Sequence, residues 1–203
     1  MFWETNKPHN LPHNPFKSCV VPRPIGWIST QNRDGKFNLA PYSFFNGISA
    51  EPPMVMFCAN GNTRDRTKDS LANVEETGEF VCNMATWELR DQMNISSAPV
   101  DTDVDEFDLA GLETEPSQLV RPPRVKAAPI HLECVLFKTL DLASDAPDIR
   151  NTLVTGRVIG IHINDACLVD GIIDIERIMP IARMGYKDYT SVEKIFSLVR
   201  PSS

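Results

Sequence analysis

The side chains that could most clearly bind a ligand lie at the start of a helix that the sequence predicts over residues 65–77. Thr63 offers a hydroxyl group there, and Arg64, Arg66 and Lys68 offer cations. A helix N-terminus has unpaired N–H groups and partial positive charge, so basic residues there are unfavourable unless an anion binds. The pattern therefore indicates a site for a phosphate dianion. A capped surface helix with solvated cations is the equally weighted alternative.

A second cluster surrounds Arg23, which lies between two prolines. Pro22 and Pro24 stiffen the backbone and thereby aim the arginine, and Gly26 would let another backbone or a ligand approach closely. This arrangement would suit a ligand contact. An edge strand that carries an exposed arginine is the simpler interpretation, and the residues alone slightly favour it.

A third segment mixes small, polar and aromatic residues over positions 38–46. In an extended conformation this segment could present backbone N–H and C=O groups to a flat heterocycle, with aromatic rings packed beside it. For Phe44 and Phe45 themselves, packing in the core is the stronger interpretation.

The elements that must position these clusters are mostly strands. Proline and glycine punctuate the chain, and apolar runs with partial period-two alternation lie between them. Asn32 to Gly35 form a turn signal between the first two extended segments. The sequence therefore predicts a mainly β fold with a few helices, arranged as an antiparallel barrel. Helices are predicted over 65–77 and 87–94, with Gly78 ending the first, and strands over 20–31, 37–49, 54–59, 79–84, 130–142, 153–163, 172–175 and 178–181.

Composition narrows the classes of function. The net charge of −7 disfavours general nucleic-acid binding, although a local cluster of donors could still hold a phosphorylated ligand. No apolar run approaches the ~18–20 residues that span a bilayer, and no signal peptide is visible. Five cysteines without a Cys-x-x-Cys pair predict reduced thiols in a cytoplasmic protein. The 203 residues predict a single domain.

Two regions depart from this pattern. Residues 1–16 are polar and proline-rich, which predicts an extended N-terminal arm. His9 and His13 within it are four residues apart, as metal ligands on a helix often are, but Pro8 and Pro12 disfavour a helix there. Residues 99–126 form an excursion that changes from acidic to basic, with seven acidic residues and no basic one between 99 and 118. A solvated loop or short helix is the favoured interpretation, and a lid or partner contact is the alternative.

Six segments, taken in order, resemble the flavin reductase-like family, whose fold is the FMN-binding split β-barrel. They are VVPRPIGWIST, NLAPYSFFNGIS, PPMVMF, RTKDSLANVEETGEFVCNMA, GRVIGIHI and PIARMGYKDY. Each segment alone is weakly specific, but the ordered set is specific and covers the chain from about Lys17 to Tyr189. The chain departs from the pattern at Tyr186, where the family often has a second glycine.

The resemblance implies which residues would contact FMN. The phosphate would lie near the start of the predicted helix, three residues of the first strand would line the ribityl chain, and the segment after the turn would approach the isoalloxazine edge. Two late residues would lie near the flavin or the dimer seam. The implied set is Thr63, Arg64 and Lys68 with Asn60; Trp27, Ser29 and Thr30 with Arg23; Asn38, Ala40, Tyr42 and Ser43; and Arg183 and Tyr189.

The resemblance also implies a function. It favours a homodimeric oxidoreductase that transfers hydride from NAD(P)H to flavin and supplies reduced flavin to a monooxygenase. A flavoredoxin-like electron carrier, or an FMN-binding protein without turnover, is the alternative. The sequence has no dinucleotide fingerprint that would distinguish NADH from NADPH.

Overall fold

The computed structural model describes residues 1–63 and 66–201, and strands dominate that part of the chain. Within it no helix is long and apolar enough to cross a bilayer. The helices are α1 (Phe16–Cys19), α2 (Asp69–Thr77), α3 (Arg90–Ile95), α4 (Glu106–Leu109) and α5 (Ile175–Ile178). The strands are β1 (Arg23–Pro24), β2 (Gly26–Gln31), β3 (Phe37–Tyr42), β4 (Phe45–Ala50), β5 (Pro53–Thr63), β6 (Glu79–Met84), β7 (Thr114–Glu115), β8 (Arg124–Val125), β9 (Ile130–Leu142), β10 (Ile149–Ile163), β11 (Leu168–Val169), β12 (Ile172–Ile173), β13 (Ile181–Gly185) and β14 (Asp188–Ser191).

Seven strands form one antiparallel sheet in the order β3-β2-β6-β9-β10-β5-β4, and β1, β13 and β14 form a smaller sheet. The mainly β prediction with a few helices is therefore confirmed. The turn predicted between β2 and β3 is also present. There Asn32 Oδ1 accepts a hydrogen bond from Lys36 N at 2.9 Å, and Gly35 takes the positive φ of 86°. β6 and β9 have the predicted bounds because apolar runs bounded by turn residues define them.

The larger core lies between the seven-stranded sheet and α2. Leu71 and Val74 of this helix are fully buried against a cluster that includes Phe57 and Phe80. Gly156 of β10 makes room for one of these rings, since a Cβ atom there would lie 2.3 Å from Phe80 Cζ. This packing fixes α2 on the sheet and so fixes the position of its N-terminus.

The helix predicted over 65–77 begins later than expected, at Asp69. Lys68 is still extended at φ −62° and ψ 137°, and Thr63, one predicted cap, is the last residue of β5. The other predicted cap, at position 65, lies outside the described residues. A hydrogen bond from Lys68 N to Asn62, described with the site below, accompanies this later start. Gly78 ends the helix in a left-handed conformation at φ 74°, as predicted.

The strand predicted over 20–31 is divided into two. β1 pairs with β13, whereas β2 starts at Gly26 and pairs with β3 and β6. Pro24 has no N–H group, so it interrupts the ladder at the division. The close approach expected at Gly26 comes from a side chain of the same protein, because a Cβ atom there would lie 2.4 Å from Phe45 Cδ2.

A short helix replaces part of the strand predicted over 178–181. In α5 the carboxylate of Asp174 accepts a hydrogen bond from Arg177 N at 3.0 Å and caps the first turn. The apolar spacing continues through this turn, and Ile178 is buried in a small third core. The local cap therefore outweighs the strand-like pattern.

The acidic part of the excursion packs on the barrel. A second core contains Trp27 of β2, Met93 of α3 and Phe107 of α4, with Val125 of β8 beside them. Phe107 is only 1% exposed. A short helix does form, but the expectation that the stretch 99–118 is solvated is wrong at α4, because an apolar residue between the carboxylates anchors it.

All five cysteines are free in the structure. Cys82 of β6 and Cys134 of β9 are buried on neighbouring strands. Burial and the adjacent Cys134 raise the pKa of the Cys82 thiol well above its ordinary value. Cys82 therefore behaves as a buried neutral side chain of the core.

Candidate functional site

A cavity of about 370 Å³ opens where β3, the end of β5 and the start of α2 meet the chain that follows α3. This volume lies within the range of about 300–1,000 Å³ that is typical of small-molecule sites. Five residues of the predicted cofactor-binding set line it: Asn38, Ala40, Tyr42, Thr63 and Lys68. The structure therefore brings residues from two distant predicted segments to one place.

The basic corner of this cavity lies at the end of β5, where Thr63, Arg66 and Lys68 line it. Thr63 Oγ1 accepts a hydrogen bond from Arg66 N at 3.1 Å, and Lys68 N donates to Asn62 Oδ1 at 2.8 Å. Asn62 is fully buried and donates in turn to Ala59 O at 2.7 Å. The sequence did not identify Asn62, although it positions Lys68 through the backbone.

The corner combines three kinds of anion donor. Thr63 supplies a hydroxyl group, Arg66 and Lys68 supply cations, and α2 begins at Asp69 directly behind them. No side chain of the described residues caps that helix. Arg64, which was predicted to belong here, lies outside the described residues. The arrangement is suited to an anionic group at the helix N-terminus.

Lys68 has an environment that strengthens this interpretation. Its Nζ atom lies 5.6 Å from the centroid of the Tyr42 ring. Partial burial, and to a smaller extent the cation of Lys17, lowers the pKa of Lys68. Both influences disfavour the charged amine, so an anion bound beside it would relieve an existing electrostatic cost.

A second corner of the cavity is acidic and hydrogen-bonded. Glu106 of α4 is buried, and its Oε2 atom accepts from Leu39 N at 2.9 Å. The neighbouring groups orient the Asn38 amide so that its nitrogen donates to Glu106 Oε1 at 3.3 Å and its oxygen accepts from Ser70 Oγ at 2.8 Å. A buried polar network therefore joins β3, α2 and the excursion along one wall of the cavity.

Burial governs the protonation of this corner. It raises the pKa of Glu106, the Leu39 N–H opposes that effect, and nearby Asp69 adds to it. Burial likewise raises the pKa of Asp69. Burial raises the pKa of Tyr42 to about 12, although a hydrogen bond with Ser70 acts in the direction of a lower pKa. Tyr42 is therefore a neutral phenol, and the two carboxyl groups are held in a site that disfavours their charge.

The predicted residues of β2 do not line the cavity with their side chains. Trp27, Ser29 and Thr30 are fully buried and bonded within the protein. Trp27 Nε1 donates to Ser96 Oγ at 2.9 Å, and Thr30 Oγ1 accepts from Asn73 Nδ2 at 3.0 Å. Since Ser96 lines the cavity and Asn73 belongs to α2, these bonds brace the walls. Ser29 Oγ instead donates to a backbone carbonyl of the excursion at 2.6 Å.

Three other predicted residues lie together on the small sheet, apart from the cavity. Arg23 of β1 is opposite Arg183 of β13, which is opposite Tyr189 of β14. Arg23 donates to Val20 O at 2.6 Å, and Arg183 Nη1 donates to the Tyr189 hydroxyl at 2.5 Å. Burial, and then the charge of Arg183, lowers the pKa of Arg23.

Ser43 and Asn60 border this region without lining the cavity. Ser43 lies in the short connection between β3 and β4, and Asn60 lies within β5. The Asn60 Oδ1 atom is a buried acceptor without a hydrogen-bond partner among the described residues.

The histidines lie elsewhere. His131 is buried on β9, and His162 Nε2 of β10 is 2.5 Å from Glu133 Oε1. Across residues 1–63 and 66–201 there is no group of three or more His, Cys, Asp or Glu side chains that could hold a metal ion. His9 and His13 instead contact aromatic rings near the arm.

Sequence reasoning missed the acidic wall. Glu106, Asp69 and the segment 96–100 line the cavity, and Arg66 Nη2 donates to Val100 O at 2.7 Å to hold that segment in place. A local sequence signal could have found this wall. Asp105 can cap a helical turn that contains the apolar Phe107, and in the structure its side chain accepts from Phe107 N at 2.8 Å.

Comparison with known proteins agrees with this fold. The family model described as a flavin reductase like domain matches residues 18–173. An uncharacterised protein of Aquifex aeolicus is 38% identical over 171 residues, 84% of each chain. Nitrilotriacetate monooxygenase component B from Bacillus cereus is similar with a TM-score of 0.83 and 28% identity, over 95% of this chain and 100% of its own. A candidate flavin reductase with a split barrel domain from Shewanella frigidimarina is similar with a TM-score of 0.80 and 25% identity, over 92% and 90%. The predicted split barrel is thus confirmed, and the chain belongs to the flavin reductase-like family.

Proposed function

We propose that the cavity binds FMN and that the protein transfers hydride from NAD(P)H to this flavin. The observation that carries the proposal is the basic corner, where Thr63, Arg66 and Lys68 stand before a helix that no described side chain caps. Hydroxyl, guanidinium, ammonium and backbone N–H donors together suit a phosphate monoester. The donor set therefore fits the phosphorylated end of FMN, and Arg64 would join it.

The remaining walls would hold the rest of the molecule. Ala40 and Pro41 present the backbone of β3, and the neutral Tyr42 ring lies beside them. Ser43, which follows β3, and Asn60 of β5 would join this surface. Trp27, Ser29 and Thr30 would contribute by bracing the walls. A bound flavin supplies the ring that accepts hydride, and the chain's own part is to bind it, orient it and exclude water.

We further propose that the protein is a homodimer. Large apolar side chains are exposed along β9 and β10, including Phe137 at 69%, Leu140 at 50% and Ile161 at 59%. Exposed large apolar side chains of this kind are typical of protein interfaces, and isologous dimers are the commonest oligomers. In such a dimer the small sheet with Arg23, Arg183 and Tyr189 would reach the flavin across the seam.

A monooxygenase is the proposed acceptor of reduced flavin. This rests on the similarity to a monooxygenase component B, which is 28% identical to this chain. We also propose a cytoplasmic location, because all five thiols are free and persist best in a reducing compartment.

The decisive experiment is anaerobic mixing of the purified protein with FMN and either NADH or NADPH. We expect the visible absorption of the flavin to bleach over many equivalents of FMN with at least one nucleotide. Bleaching of a single tightly held equivalent would instead favour the electron carrier. Tight FMN binding with no bleaching by either nucleotide would contradict hydride transfer, and no FMN binding at all would contradict the assignment of the cavity.

A further inference from the structure

The excursion places one carboxylate in the wall of the cavity and fixes it there. Glu106 lies on α4, whose first turn is capped by Asp105 and whose next residue, Phe107, is locked in the second core. Its side chain lines the cavity, yet the residue is only 6% exposed. The carboxylate is therefore held at this position before any ligand arrives.

The hydrogen-bond capacity of Glu106 is not fully used. A carboxylate offers two oxygens with about four acceptor positions. Leu39 N donates to Oε2, the Asn38 amide donates to Oε1, and the backbone of Glu106 itself contributes a further hydrogen bond. No cation of the described residues lies within ion-pair distance of it. A buried carboxylate without a cation is costly unless further donors reach it, and the cavity is where such donors would come from.

The neighbours of Glu106 indicate which donors these are. Asn38, Ser70 and the Tyr42 phenol are neutral groups that both donate and accept, as suits a polyol rather than a cation. The cations that line the cavity among the described residues, Arg66 and Lys68, belong to the basic corner. A ligand that spans both corners must carry an anion at one end and hydroxyl groups beside it.

Given the proposed function, we propose that Glu106 is a specificity-determining residue that accepts hydrogen bonds from the hydroxyl groups of the ribityl chain. Its ligand class is then a polyhydroxylated chain next to a phosphate. The excursion, which the acidic composition alone would assign to solvent, thereby selects the ligand.

The test compares three flavins that differ in one part each. FMN has the ribityl chain and the phosphate, riboflavin has the chain alone, and lumiflavin has neither. Affinities are measured by fluorescence titration for the wild type, Glu106→Gln and the matched control Asp108→Asn. Asp108 is an exposed carboxylate on the same helix that does not line the cavity.

Glu106→Gln keeps the shape but replaces a charged acceptor by a neutral one. We expect FMN and riboflavin to bind about five- to tenfold more weakly, lumiflavin to be unchanged, and the control to match the wild type. If Glu106→Gln does not fold, Glu106→Asp, which keeps the charge but shortens the reach, is expected to give the same pattern.

The outcomes separate the two proposals. Suppose that the wild type binds FMN. If Glu106→Gln then loses as much affinity for lumiflavin as for FMN, or loses no affinity for riboflavin, the role of Glu106 is overturned and FMN binding is not. A wild type that binds none of the three flavins would overturn the proposed function, and the role of Glu106 with it.

Discussion

Replacing Lys68 with alanine tests the basic corner most directly. A hydrogen bond to a charged group contributes roughly 1.5–3 kcal/mol. Because the Lys68 side chain is exposed and Arg66 remains beside it, we expect the lower end of that range. About 1.4 kcal/mol corresponds to a factor of ten, so Lys68→Ala should weaken FMN binding about tenfold. Riboflavin lacks the phosphate, and its affinity should not change.

The assay is fluorescence titration with FMN and riboflavin at two salt concentrations. The matched control is Lys126→Ala, which removes the same charge from an exposed side chain that does not line the cavity. Higher salt should shrink the FMN preference of the wild type, since exposed charges are screened. Equal loss of both flavins would refute the reasoning, because Lys68 would then support the ring pocket or the fold. Unchanged FMN affinity would show that the cation is merely solvated.

Three further predictions address the fold that holds the site. Light scattering should give the mass of a dimer, and Phe137→Asp should give a monomer; a monomeric wild type with full FMN affinity would contradict the proposed seam. Burial alone would raise the pKa of Glu133, but hydrogen bonds from the Gln118 N–H, His162 and the Leu119 N–H lower it. The ionised Glu133 therefore stabilises the fold above the unfolded pKa of about 4.3, and this stabilisation is lost as pH falls through the lower folded pKa. Glu133→Gln should therefore cost about 2 kcal/mol at pH 7 and flatten the acid limb of stability against pH; an unchanged acid limb would exclude this carboxylate. Gly156→Ala should cost about 1–3 kcal/mol in denaturant unfolding because its Cβ would overlap Phe80, whereas Gly47→Ala, whose Cβ meets only a backbone oxygen at 4.0 Å, should be nearly neutral.

The sequence predicts the sheet well where local signals are complete. β6 and β9 appear with the expected bounds because each is an apolar run between turn residues, and Gly78 ends α2 because it can adopt a positive φ. The start of α2 was misplaced because its determinant is not local composition. The side chain of Asn62 bonds the Lys68 backbone six residues later and delays the helix.

The site divides in the same way. Lys68 and Tyr42 meet at the cavity as the ordered motifs predict, although 26 positions of chain separate them, which are bridged by β4 and β5. The side chains of Trp27 and Ser29 do not line the cavity. The motif gives their place on β2 but not the direction of each side chain, and both faces of this strand are buried. The sequence did not identify Glu106 because it is one of seven acidic residues between 99 and 118. It differs from the others by its contact with Leu39, which is 67 residues away in the chain.

The polarity of the cavity constrains how an anionic ligand can lie. Glu106 is a carboxyl group in a partly desolvated site without a cation at ion-pair distance among the described residues, so a phosphate dianion beside it would be repelled. Thr63, Arg66 and Lys68 offer the only cluster of anion donors along the described walls of this cavity. Arg66 also bonds Val100 O, so the corner that attracts the anion is tied to the excursion that carries Glu106. The excursion therefore contacts the group that would attract the phosphate and also carries the carboxyl group that would accept the ribityl hydroxyls. A ligand bound the other way round would place its phosphate against Glu106 instead of against the cations.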